Sequence, residues 1–161
     1  THYQLLLSIL EKWINDFDLN RKSSTAQALH EIADQIHKRS MVVIFSDMVD
    51  NTERVDDLFG ALQHLKHNKH EVLLFHVVDR KLEIEFGFEN RPYQFVDMET
   101  GEKVRLQAHQ IKERYIEKMK EYHYSIQNKC IQHRIDYHEA DINQGYDYIL
   151  QSFLGKRKKM Q

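Results

Sequence analysis

Stretches with helical periodicity alternate with short apolar runs along this chain, and their order predicts the fold. Leu6, Ile9, Leu10, Trp13, Ile14 and Phe17 recur at helical spacing and predict an amphipathic helix over 3–17. A polar loop, Asn20 to Ser24, follows. Ser24-x-x-Gln27 has the form of a capping box, in which a hydroxyl and an amide satisfy the first free backbone groups of a helix. The helix it opens runs to about Lys38, with Leu29, Ile32, Ala33 and Ile36 inward, and the pair Lys38-Arg39 suits its negative end. Next comes Met41-Val42-Val43-Ile44-Phe45, an apolar run that stops on Ser46-Asp47. Its β-branched and aromatic content predicts a strand over 41–46 buried on both faces.

A third helix is predicted at about 53–67 from the stripe Val55, Leu58, Phe59, Leu62 and Leu65. The turn Asn68-Lys69-His70 leads into a second strand, 71–78, so the segment is a β-α-β unit with parallel strands and a right-handed crossover. Residues 79–106 break this rhythm. Leu82-Glu83-Ile84-Glu85-Phe86 alternates like a half-exposed antiparallel strand, and Tyr93 to Met98 reads as another. Glu99 to Glu102 is a turn from which Lys103 to Leu106 returns. The only proline, Pro92, separates these pieces of a small antiparallel excursion at about 82–106. A long helix, 108–132, follows with Ile111, Tyr115, Met119, Tyr122, Ile126 and Cys130 on one side. Ile135 to Ala140 predicts a third parallel strand, and a helix over 143–154 carries Tyr146, Ile149, Leu150 and Phe153.

The expected fold class is therefore α/β: a short parallel sheet flanked by helices, in one domain over 1–161. Three strands are few for so much helix. An apolar strand at 41–46 wants neighbours on both edges, and the chain supplies an obvious one on one side only. Part of the sheet is thus expected to be missing, or to come from another chain. The start at Thr1-His2-Tyr3, without an initiator Met, also reads as a piece of a longer protein. A bare strand edge pairs with other chains, so self-association through 41–46 is expected unless the 82–106 excursion folds over it.

Composition narrows the function classes. The chain has 161 residues with 41% hydrophobic and 30% charged, an ordinary globular balance. A net charge of −2 steers it to neither nucleic acid nor an anionic membrane. Its single cysteine, Cys130, excludes an internal disulfide framework and suits a reducing, cytoplasmic compartment; on the long helix it reads as a core residue. No apolar run approaches the ~20 residues of a membrane span.

Candidate chemistry gathers at the end of the first strand, because ligands of open α/β sheets sit outside the carboxyl ends of the strands. Asp47 stands there, followed by Asp50. On the residues alone Asp47 reads more readily as a turn cap than as a ligand. Two carboxylates could also hold Mg²⁺ for a hydrolase using Asp47 and Asp50. The spacing Asp-x-x-Asp lacks the Asp-x-Asp of an aspartate-nucleophile phosphatase, and no P-loop or Gly-x-Ser-x-Gly occurs. Eleven histidines include His64, His67 and His70 at intervals of three, but Lys66 and Lys69 beside them point to a solvated helix face. The tail Lys156 to Lys159 reads as a basic helix end.

Several strings together resemble a known family. They are Thr25 to Asp47, Leu62 to Val72, Phe95-Val96-Asp97-Met98-Glu99-Thr100-Gly101-Glu102 and Arg134 to Tyr137. The chain resembles the bacterial domain-of-unknown-function family number fifty-eight, and more widely the later half of a von Willebrand factor A-type domain. The resemblance implies a metal-ion-dependent adhesion site above the carboxyl edge of the sheet. The family's Thr position falls on Thr25 and its late Asp position on Asp47. Its main motif, Asp-x-Ser-x-Ser, is not in this sequence. Two oxygen ligands do not hold Mg²⁺ tightly, so this chain by itself is expected to be metal-free, with Mg²⁺ or another divalent cation reserved for an intact protein. The resemblance further implies a non-enzymatic protein-interaction domain acting with a MoxR-type AAA+ ATPase.

Overall fold

A computed structural model describes residues 2–15, 25–48, 52–96 and 101–159. Among the described residues five α-helices and five strands follow one another as α1 (His2–Asn15), α2 (Thr25–Gln35), β1 (Met41–Ser46), α3 (Thr52–His67), β2 (Glu71–Val78), β3 (Pro92–Val96), β4 (Lys103–Gln107), α4 (Ala108–Gln132), β5 (Asp136–Asp141) and α5 (Tyr146–Lys159). A parallel three-stranded sheet has the order β1-β2-β5, and β3 pairs with β4 in a separate antiparallel hairpin. The fold is mixed α/β, with helices on both faces of the parallel sheet.

The central strand β2 is the buried one. Val72, Leu73, Leu74 and Phe75 are each at most 3% exposed. Successive side chains of a strand point to opposite faces. Val72 and Leu74 join Ile44 in the main core, against Leu29 and Ala33 of α2, Leu58, Leu62 and Leu65 of α3, and Ile126 and Cys130 of α4. Leu73 and Phe75 face the other way and form a smaller cluster with Ala140, against Ile149 and Phe153 of α5. The stripe on α3 is buried at all five positions the periodicity picks out. Of the four apolar residues picked out on α5, Ile149 and Phe153 pack against the sheet, while Tyr146 and Leu150 are exposed, a correction to the stripe expected there.

The strand 41–46 is not buried on both faces. Ile44 is buried, but Met41, Val43 and Phe45 are exposed at 51%, 40% and 68%. Among the described residues β1 has a neighbour on one edge only, and the α5 face of the sheet is covered near β5 and β2 but not fully out to β1. Phe45 keeps one contact there, a stack on Phe75 at 4.9 Å.

The second correction concerns 82–86. Arg80–Ile84 is a single π-helical turn and not a strand. The Asp79 carboxylate accepts from the Leu82 amide at 3.1 Å, and the Arg80 carbonyl accepts from the Glu85 amide at 2.9 Å. These local bonds outweigh an alternating pattern that has no partner strand in reach. Pro92 opens β3, where a proline costs no ladder bond. Met98 and the Glu99-Thr100 part of the turn lie outside the described residues.

The turns from helix to strand share a left-handed residue, and two of them, after α3 and α4, share a hydrogen-bond pattern. Arg39, Lys69 and Arg134 all have left-handed φ values, 64°, 64° and 54°. His70 donates back to the Leu65 carbonyl at 3.1 Å and Ile135 to the Cys130 carbonyl at 2.8 Å, the six-to-one bond of a Schellman stop. The stops after α3 and α4 turn the chain sharply enough for each helix to pack against the strand that follows it.

Candidate functional site

Helix α2 ends beside the end of α3, where Asn68 donates to the Ala33 carbonyl at 3.0 Å. That end of α3 feeds the start of β2, so the start of α2 lies at the carboxyl end of the sheet. Thr25 at the start of α2 and Asp47 just after β1 therefore share one end of the fold. Both side chains are exposed. Asp50 lies outside the described residues.

The backbone under Asp47 is held from below. The Asp47 carbonyl accepts from His76 Nε2 at 3.0 Å, and the Met48 carbonyl accepts from the Tyr122 hydroxyl. The Ser46 hydroxyl accepts from the Met48 amide at 3.1 Å. Met48 itself is buried and sits in the left-handed region with φ 55°. A non-glycine residue there costs of order 1 kcal/mol and persists only where its surroundings hold it. Buried Met48, its two hydrogen bonds and the His76 bond to the Asp47 carbonyl supply that hold.

His76 is 1% exposed and its tautomer follows from its partners. A carbonyl only accepts, so Nε2 carries the proton; Nδ1 then accepts from the Tyr137 hydroxyl at 2.9 Å. Burial, with the neighbouring His123 ring, lowers its pKa to about 4. The His123 ring stacks on it at 4.6 Å and is also shifted down, chiefly by burial. Burial likewise pushes the Tyr137 hydroxyl above its ordinary range. Neutral rings and a protonated phenol thus form the floor of the site.

Beside it, the loops after β2 and β5 are tied together. Asn143 Nδ2 donates to Asp79 at 2.9 Å and to Asp141 at 3.1 Å. Arg80 pairs with Glu139. Burial would raise the Asp141 carboxyl, but hydrogen bonds from Asn143 and Arg80 hold it below the usual carboxylate range. Glu83 is pushed upward by burial. These carboxylates are engaged with backbone amides and side-chain donors that shape the loops, so their first role here is to build the rim. A cleft of about 460 Å³ opens next to it, lined by Arg80, Lys120, His123, Tyr137 and Glu139 among others.

The sequence places Asp47 at this end but misses what supports it. His76, Tyr122 and Tyr137 come from three different elements, and no local pattern joins them. Nor do His64, His67 and His70 form one stripe: His70 is 2% exposed under α3, accepting from the Ser40 amide at 3.2 Å, while His67 is exposed. Cys130 is wholly buried, as its place on the long helix predicts, and its thiol is pushed up to about 12. Among the described residues no group of three or more His, Cys, Asp or Glu side chains is arranged to hold a metal ion. No helix among them is long and apolar enough to cross a membrane.

No curated protein and no solved structure matches this chain. A family profile does, over residues 3–124, and its description is "Protein of unknown function DUF58". The match spans α1 to the middle of α4 and includes Thr25, Asp47 and His76. The chain belongs to the DUF58 family.

Proposed function

We propose that this chain is a non-enzymatic, cytoplasmic protein-interaction domain of the von Willebrand A type, working with a MoxR-type AAA+ ATPase. The observation that carries the reading is Asp47: an exposed carboxylate at the carboxyl end of a parallel strand, on a backbone fixed by His76 and Tyr122. Fixed backbone under a ligand lowers the ordering cost of binding. In the intact protein a divalent cation held by Asp47 and Thr25, with further oxygens from a wider sheet, would bind a carboxylate of the partner. The edge of β1 that has no neighbour among the described residues, with Met41, Val43 and Phe45 exposed beside it, is where that wider sheet would continue.

Calorimetry tests the metal part. The full-length protein takes up one Mg²⁺, and Asp47→Ala abolishes it. The 161-residue chain gives no tight uptake, since two oxygens leave most of an octahedron to water. A tight 1:1 Mg²⁺ isotherm from the 161-residue chain would sink the reading of an incomplete site.

A further inference from the structure

His30 on α2 and His64 on α3 meet across the helix pair with their Nδ1 atoms 3.1 Å apart. On the other side of the His64 ring, Nε2 lies 3.4 Å from Oδ1 of Asp34, one turn after His30 on α2. Asp34 is exposed, and its carboxylate lies on the Nε2 side of the ring. A carboxylate only accepts, so Asp34 favours the His64 tautomer with its proton on Nε2. The His64 Nδ1 is then a lone pair facing His30. With no ion present, the Nδ1 proton of His30 fills the gap between the rings.

That gap has the dimensions of a metal's coordination sphere. Two imidazole nitrogens on one zinc ion, at roughly 2.0–2.1 Å each, stand about 2.9 Å apart at a right angle and about 3.4 Å apart at a tetrahedral one. The observed 3.1 Å lies between. A metal-bound histidine almost always passes its other N–H to a carboxylate or carbonyl, and Asp34 occupies that place for His64. His30 is exposed, so its proton can move from Nδ1 to a water-facing Nε2 without leaving a buried group unsatisfied. An adjoining cleft of about 450 Å³ is lined by Glu31, Asp34 and Asp57, whose carboxylates favour a cation over an anion, and by Asp56, which pairs with Lys129.

The geometry points to a transition-metal site on the α2–α3 surface, with His30 and His64 as Nδ1 ligands, Asp34 orienting His64, and water in the remaining positions. Imidazole ligands suit Zn²⁺, Cu²⁺ or Ni²⁺; Mg²⁺ and Ca²⁺ prefer oxygen, so this site is distinct in kind from the one around Asp47. Its two ligands are 34 residues apart and come from two helices, so metal binding would also clip α2 to α3.

The test is a zinc chloride titration of the 161-residue chain, followed by calorimetry and by the histidine ¹⁵N resonances. One saturable site is expected, with shifts at the Nδ1 atoms of His30 and His64. His30→Ala, an exposed change, removes it. Asp34→Asn weakens it by about tenfold, as loss of an orienting partner does. His67→Ala leaves it unchanged, and MgCl₂ at equal concentration moves neither ring. Zinc uptake that survives His30→Ala undiminished, or a titration without saturable shifts at these two rings, overturns the proposal.

Discussion

At the scale of single residues, His76 carries the most structural consequence. It is buried and neutral, with both ring nitrogens engaged, and its pKa falls from the ordinary 6.5 to about 4. The unfolded chain therefore binds this proton first as pH drops. Stability is fully present above pH 6.5 and is lost as pH falls towards about 4. After allowance for partial screening by solvent the contribution is on the order of 2 kcal/mol. His123 is shifted the same way and adds to the slope. Denaturant titrations at pH 7 and pH 5 are expected to show the chain weaker at pH 5, with the difference reduced in His76→Gln. An equal pH dependence in the variant would place the effect elsewhere.

At the scale of elements, the parts that were legible in the sequence are those whose signal is local. The stripe on α3 recurs every three or four residues, and each of its members is buried. Leu62→Ala, at a wholly buried position, should cost about 2–5 kcal/mol in a denaturation experiment. Phe45→Ser, at a position 68% exposed, should cost less than about 1 kcal/mol and should reduce any self-association seen by sedimentation velocity. A loss of several kcal/mol there would mean that β1 is covered in solution. Two features were not legible in the apolar pattern, one set by local hydrogen bonds and one by packing between helices. Residues 82–86 carry a strand's alternation, yet Asp79 and the Arg80 carbonyl wind them into a π turn. His30 and His64 are far apart in sequence, and only the packing of α2 on α3 brings them together. The helix stops offer another check. Arg134 holds a left-handed φ of 54° with a Cβ in the way, so Arg134→Gly should stabilise the fold by up to about 1 kcal/mol, read as a higher denaturation midpoint.

At the scale of the whole molecule, one asymmetry organises the account. The α2–α3–α4 face of the sheet is sealed by a continuous core, while the other face carries a small cluster that stops short of β1. The strand with the most telling sequence is the one least covered, and Asp47 sits at its end on a backbone held by three hydrogen bonds to the loop. Placement of Asp47 could be read from the chain because it follows directly from the end of an apolar run. The rigidity beneath it could not, because it depends on His76 and Tyr122 from other elements. The proposed role, capture of a protein partner through a cation at this end, is tested most directly by partner retention. Full-length protein is immobilised and offered a MoxR-type ATPase, the proposed partner, with Mg²⁺ or with EDTA. Retention in Mg²⁺ that disappears in EDTA and in Asp47→Ala is the predicted result. Failure to retain the ATPase in Mg²⁺, or retention indifferent to both EDTA and Asp47→Ala, contradicts it.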